Sequence, residues 1–144
     1  MKLKNKLLLQ SLLILYIITT FTNMGYTNAQ ATDIVVIVNK SQPSLTQGQI
    51  LMIFTGFKDR WPNGDRIKVL INRDSNIKEA FCSQKLNMTV NKLYNFWLKK
   101  QSRSGGSLPE ELSSERIIQL VAGNPKYIGF IKRSELIASV REVK

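Results

Sequence analysis

Apolar positions along the chain follow two spacings, one typical of strands and one typical of helices. Residues 33–38, DIVVIV, form a short apolar run rich in β-branched side chains, whose length suits a strand buried on both faces. Residues 66–72 carry apolar side chains on both faces and predict a second, largely buried strand. Residues 127–131 predict a third, and residues 136–143 form either a last strand or a frayed tail.

Between these runs, apolar residues recur at positions i, i+3 and i+4, as on one face of a helix. The first helix begins at Thr46, which has capping-box spacing to Gln49, and Gly56 ends it. Trp61 opens a tight turn that leads into the second strand, and both Trp61 and Trp97 are expected to be largely buried. Three further helices are predicted to begin at residues able to cap them. These residues are Asp74, Ser75 or Asn76 for the first, Thr89 for the second, and Ser113 or Ser114 for the third. Strands that alternate with helices predict an α/β layered domain with a mostly parallel sheet.

The first 31 residues are predicted to be a signal peptide, which leaves one domain over residues 32–144. Three lysines precede an apolar stretch over residues 7–21, and small residues offer cleavage after Ala29 or Ala31. A retained anchor is the alternative, but the stretch is shorter than the ~20 residues that a spanning helix needs. We therefore expect a periplasmic or secreted protein with no membrane span once the leader is removed.

Composition favours anionic partners and removes the commonest catalytic groups. The chain has 21 basic and 10 acidic residues, and because the leader holds three lysines and no acid, the domain keeps a net charge of +8. Histidine is absent and Cys82 is the single cysteine, so histidine triads and thiolate metal clusters have no ligands. We expect no catalysis, no metal, no cofactor and no nucleic-acid partner.

Three segments, in the same order, resemble the phosphate-binding proteins of ABC transporters. Ile53-Phe54-Thr55-Gly56 followed by Trp61 resembles the family's "IF-x-G … W-x-x-G" segment. Arg73-Asp74-Ser75 before a helix and Asn124-Pro125-Lys126-Tyr127-Ile128-Gly129-Phe130 are the other two. The resemblance covers nearly all of the chain after the leader, but only one lobe of a two-lobed family. It implies a single periplasmic-binding-protein-like lobe, with a mostly parallel or mixed sheet flanked by helices.

The first candidate site lies between the second strand and the next helix. Free N–H groups and the helix dipole attract an anion there, and the Arg73 guanidinium offers a bidentate fork. The resemblance implies that Arg73 and Ser75 contact phosphate, although Asn76-Ile77 stands where the family has Gly-Thr. We expect the amides of Ser75 and Asn76 to join Arg73 in binding. In the alternative, Asp74 and Ser75 merely cap the helix and Arg73 pairs with Asp74.

A second candidate lies in residues 99–109, which read as a basic loop rich in serine and glycine. Consecutive glycines let backbone N–H groups converge on an anion, which makes Arg103, Ser104, Gly105 and Gly106 candidate ligands. The alternative is a flexible connection without a ligand. If both candidates act together, this loop would close on the anion held by Arg73.

The predicted function is non-catalytic, solute-binding-like capture of phosphate or a related oxyanion, within ABC-type phosphate uptake. A single lobe leaves a ligand half exposed, whereas good small-molecule sites bury most of their ligand's surface. A second copy or another envelope protein would then complete the cleft. The alternative is an envelope interaction protein that keeps the fold without a pocket and docks through its basic surface.

Overall fold

The computed structural model describes residues 32–143, so the predicted signal peptide lies outside the described residues. The strands in this part of the chain are β1 (Ile34–Asn39), β2 (Lys68–Asn72), β3 (Glu110–Leu112), β4 (Tyr127–Lys132) and β5 (Val140–Val143). The helices are α1 (Gln47–Phe54), α2 (Ser75–Leu86), α3 (Val90–Ser104) and α4 (Ser114–Gly123), and a 3₁₀ turn spans Arg133–Glu135.

The described strands form one five-stranded sheet in the order β3-β2-β4-β1-β5. Strand β1 pairs antiparallel with both β4 and β5, whereas β2 pairs parallel with both β3 and β4. The sheet is therefore mixed and is flanked by helices. Of the two predicted arrangements, mostly parallel or mixed, the mixed one is confirmed.

Two apolar cores lie on opposite faces of this sheet, because side chains along a strand point alternately to either side. Val36 faces the larger core, where α1, α2 and α3 pack and the rings of Phe81 and Phe130 stack with centroids 3.8 Å apart. Val35 faces the smaller core, which α4 covers with Ile117. Strand β1 is thus buried on both faces, as its continuous apolar run predicted.

Local capping signals in the sequence are confirmed by the structure. Thr46 and Gln49 form a reciprocal capping box at the start of α1, and Gly56 takes a φ of +80° where the helix ends. The N–H of Gly64 donates to the Trp61 carbonyl at 2.9 Å, which closes the predicted turn. Trp61 is 2% exposed, so it anchors this turn in the core.

The expectation that residues 99–109 form a loop is only half right. Helix α3 continues to Ser104, so Arg103 and Ser104 are helical, and the chain leaves the helix at Gly105. Two side chains of α3 contact the end of α1. Trp97 Nε1 donates to the Phe54 carbonyl at 2.8 Å, and Lys100 Nζ, within the helical extension, donates to the Gly56 carbonyl at 2.9 Å. Trp97 packs against the larger core but is only partly buried, so it is more exposed than Trp61.

The sheet edge holds a strand that the sequence pattern did not predict. Strand β3 is only three residues long and pairs parallel with β2, with Leu70 opposite Glu110 and Asn72 opposite Leu112. At the other edge, the final stretch of the chain forms β5 and pairs with β1, which favours the strand over the frayed tail.

Candidate functional site

The carboxyl ends of three parallel strands meet at one edge of the sheet. There β2 ends at Asn72, β3 ends at Leu112 and β4 ends at Lys132. Helices α2 and α4 begin at the same edge, directly after β2 and β3. We call this region the Arg73 edge, defined by the strand ends and by Arg73 to Asn76. Ligands of open α/β sheets bind at such an edge, because helix N-termini and loop side chains converge there.

Arg73 presents an exposed cation at this edge. Its backbone N–H donates to the Leu112 carbonyl at 2.9 Å, which ties the main chain to β3. Its guanidinium makes no hydrogen bond or ion pair within residues 32–143, so the alternative pairing with Asp74 is not formed. The side chain is therefore available to a ligand.

Arg133 lies at the same edge, but its guanidinium is already paired with carboxylates. Its guanidinium pairs with Asp33 and with Glu142, the latter at 2.6 Å between Nη1 and Oε2. Hydrogen bonds to Glu142 and Asp33 raise the pKa of Arg133. Because this guanidinium is held by two carboxylates, it offers less to an anion than Arg73 does.

Asp74 already caps α2 and so occupies part of the predicted anion site. Its Oδ1 accepts hydrogen bonds from the amide of Asn76 at 2.9 Å and from that of Ile77 at 3.3 Å. Among the residues that the structure describes, the amide of Ser75 has no such acceptor. The predicted amide contact from Asn76 is therefore taken by the cap, whereas Arg73 and the Ser75 amide remain as donors.

Asn72 joins the two helix starts and was missed by the sequence analysis. It is buried, its Nδ2 donates to Ser114 Oγ at 2.8 Å, and its Oδ1 accepts from the amide of Asp74 at 3.0 Å. Ser113 caps α4 alongside by accepting from the amide of Arg116. An asparagine at the end of an otherwise apolar strand is the sequence signal that could have revealed this linkage.

The carboxylate of Glu111 on β3 contacts side chains of α2 and α3 and so ties the three elements together. Lys78 Nζ lies 2.7 Å from Glu111 Oε2, and the Tyr94 hydroxyl donates to Glu111 Oε1. Burial works to raise the pKa of Glu111, but the hydrogen bonds from Lys78 and Tyr94 outweigh it and hold that pKa below its usual value. Burial, together with the bond to Glu111, raises the pKa of Tyr94. Lys78 is thus neutralised and contributes little to an anion site.

The second candidate site, in residues 99–109, lies at the opposite edge of the sheet. Arg103 and Ser104 end α3, and Gly105 and Gly106 follow with φ of +67° and +107°. These residues precede β3, and since β3 runs parallel to β2, they lie where β2 begins rather than where it ends. The structure does not bring them together with Arg73, and so it does not support the expected joint closure on one anion.

Candidate metal ligands do not cluster within residues 32–143. No cluster of three or more Asp, Glu, Cys or His side chains there could hold a metal ion. Burial raises the pKa of Cys82 to about 11, although nearby Lys78 opposes this, so the thiol is a poor nucleophile. None of the helices described is both long and apolar enough to cross a membrane.

This arrangement of strands and helices is that of the periplasmic-binding-protein fold. An ABC-type phosphate transport receptor from Vibrio cholerae shares it at 20% identity and a TM-score of 0.58, covering 78% of this chain and 45% of that one. A phosphate ABC transporter substrate-binding protein from Clostridium perfringens, with bound phosphate, does so at 27% identity and a TM-score of 0.57, covering 78% and 44%.

The chain therefore spans less than half the length of these solved structures. No family model matches the chain, and no curated protein is significantly similar to it in sequence. The Vibrio cholerae structure is that of a phosphate transport receptor and the Clostridium perfringens structure holds bound phosphate, which supports the resemblance noted in the sequence.

Proposed function

We propose that this protein is an exported, non-catalytic, solute-binding-like protein that binds phosphate or a related oxyanion at the Arg73 edge. One observation carries the proposal: Arg73 presents an unpaired guanidinium within residues 32–143, beside a free amide at Ser75. A guanidinium and a helix N-terminus favour the same ligand, because both present N–H donors in a positive field. The solved relatives support phosphate as the anion.

A role in ABC-type phosphate uptake would need a second surface. The Arg73 side chain is exposed, and a ligand held from one side keeps much of its hydration. We propose that a second copy or another envelope protein covers this edge. In the same proposal, residues 1–31 are a leader that is removed, and residues 32–144 act in the periplasm or outside the cell.

Titration calorimetry of the purified protein with inorganic phosphate tests this site. Arg73→Ala should weaken binding by about 1.5–3 kcal/mol, or roughly ten- to a hundredfold, because a charge-assisted hydrogen bond is lost. Arg103→Ala and Lys40→Ala remove the same charge at the other edge, where the residues preceding β3 and following β1 lie. Both controls should change affinity far less, since they act only through the long-range field.

Salt separates a built site from diffuse attraction. Moderate salt should weaken the binding that depends on Arg73 less than it weakens diffuse attraction, because a directly hydrogen-bonded pair is closer than the Debye length of about 8–10 Å beyond which exposed charges are largely screened. If all three alanine variants weaken phosphate binding equally and salt abolishes it, the Arg73 loop is only a helix cap.

That outcome would favour the alternative function, an envelope interaction protein that docks through its basic surface. One observation speaks for it: the Asp74 carboxylate already accepts the amides of Asn76 and Ile77 at the start of α2. A carboxylate in this place satisfies the helix end without a ligand and repels an approaching anion.

A further inference from the structure

A cavity of about 480 Å³ lies at the edge of the sheet opposite Arg73, where β2, β3 and β4 begin. The chain leading into β2, the last turns of α3 and residues 105–110 surround it. We call it the basal cavity, defined by its four basic lining residues, Lys58, Arg66, Lys68 and Lys100.

Positive charge in the basal cavity is not matched by its own acids. Asp59 and Glu110 are the lining carboxylates, and neither forms an ion pair within the described part of the chain. The side chains of Lys58 and Arg66 likewise make no hydrogen bond or ion pair among residues 32–143. Four cations against two carboxylates leave two positive charges unmatched, which favours a dianion.

Aromatic rings hold two of these ammonium groups in place. Lys100 Nζ donates to the Gly56 carbonyl at 2.9 Å and lies 5.3 Å from the centroid of the Trp97 ring. Lys68 Nζ lies 5.5 Å from the centroid of the Tyr127 ring. Cations positioned in this way lose less conformational freedom when a ligand binds.

Backbone donors and apolar side chains complete the lining. Gly105 and Gly106 both have positive φ, and a Cβ at either would meet nothing within 4 Å. Within residues 32–143 the amides of Gly106 and Ser107 have no acceptor, so two N–H groups beside the cavity remain unused. Leu108 and Pro109 extend the apolar wall that the two aromatic rings begin.

The size of the cavity indicates a ligand larger than a bare oxyanion. Small-molecule sites typically occupy roughly 300–1,000 Å³, and inorganic phosphate would leave most of this cavity, and its apolar wall, in contact with water. We propose that the basal cavity binds an organic dianion that joins a compact anionic head to an apolar body, a phosphate monoester being the simplest. This site is separate from the Arg73 edge and does not rest on the function proposed for it.

Phenyl phosphate is a suitable probe, because it joins a dianionic head to an aromatic ring. We would titrate it into the ¹⁵N-labelled protein and follow amide and indole resonances by NMR. Saturable shifts are expected at Gly105, Gly106 and Ser107 and at the indole N–H of Trp97. Benzyl alcohol, which has the ring without the charge, and inorganic phosphate, which has the charge without the ring, should each bind at least about tenfold more weakly.

A matched pair of variants tests the role of the cavity's cations. Arg66→Gln should weaken phenyl phosphate binding by about tenfold or more, because it removes a charge-assisted donor. Arg116→Gln removes the same charge from an exposed site on α4, across the sheet, and should leave the affinity within about twofold.

Three results would overturn the proposal. Equal losses in Arg66→Gln and Arg116→Gln would mean that only the overall charge matters. Inorganic phosphate that binds as tightly as phenyl phosphate would remove any role for the apolar wall. Shifts confined to the amide of Ser75 would place the ligand at the Arg73 edge instead.

Discussion

Replacing Gly129 with alanine tests how closely α4 packs on the sheet. A Cβ at Gly129 would lie 2.5 Å from Ile117 Cγ2 and 3.5 Å from Leu70 Cβ. Carbon atoms cannot remain at 2.5 Å, so a neighbour must move. Ile117 cannot move cheaply, because it is fully buried and its β-branched side chain has few rotamers. Either α4 or β4 must therefore shift.

The magnitude follows from two opposed effects. Overpacking a well-packed core typically costs about 1–3 kcal/mol. Alanine recovers about 0.5–1 kcal/mol relative to glycine within a strand, because glycine loses more conformational freedom on folding. We expect Gly129→Ala to lower the free energy of unfolding by about 1–2 kcal/mol.

A second substitution identifies the cause of this loss. Ile117→Leu removes the Cγ2 methyl group while conserving volume, and alone it should cost less than about 1.5 kcal/mol. The Gly129→Ala/Ile117→Leu double variant should then be more stable than the sum of the single effects by about 1 kcal/mol, because the clash is absent.

Urea unfolding followed by circular dichroism gives the free energy of unfolding of each variant. The variants can be compared directly if that free energy falls with urea concentration at the same slope in all of them. Gly123→Ala is the matched control, since a Cβ at Gly123 meets nothing within 4 Å, and it should leave stability unchanged or raise it. If Gly129→Ala stays within about 0.5 kcal/mol of the parent protein, or if Ile117→Leu does not restore it, the close packing described here is refuted.

Two titratable groups give further predictions. Burial alone would raise the pKa of Glu111, but hydrogen bonds from Lys78 and Tyr94 hold that pKa below its ordinary value. The stability that ionised Glu111 contributes is therefore fully present above the ordinary pKa and is lost as pH falls through the lowered pKa. Urea unfolding from about pH 6 to about pH 3 should thus show a steeper loss in the parent than in Glu111→Gln. Because Cys82 is buried and inaccessible to a reagent, and burial also raises its pKa to about 11, native protein at about pH 8 should react with a thiol reagent only as fast as it unfolds. A rapid reaction without urea would contradict this burial.

Features of the fold that depend on neighbours within one helical turn could be predicted from the sequence. The capping box of Thr46 and Gln49, the stop at Gly56 and the cap at Asp74 each need only residues a few positions apart. The buried strand β1 could also be predicted, because a short continuous run of β-branched residues in a layered domain is typical of a strand covered on both faces.

Non-local pairing explains the strand that was missed. Strand β3 has the sequence EEL, and its pattern gives no signal because its order comes from pairing with β2, about forty residues earlier. The position of Gly105 and Gly106 relative to Arg73 could not be predicted without this strand. Only the parallel pairing of β2 with β3 shows that Gly105 and Gly106 lie at the opposite edge from Arg73.

The two candidate regions differ in what they need from a partner. At the Arg73 edge the unpaired donors lie on one side, so a bound oxyanion keeps water on its other side and its hydrogen bonds are partly screened. The basal cavity has walls from α3, from the start of the sheet and from residues 105–110, and its four cations and two carboxylates leave two unmatched positive charges. The oxyanion proposed for the Arg73 edge would therefore gain most from a second surface, whereas the organic dianion proposed for the basal cavity would need none.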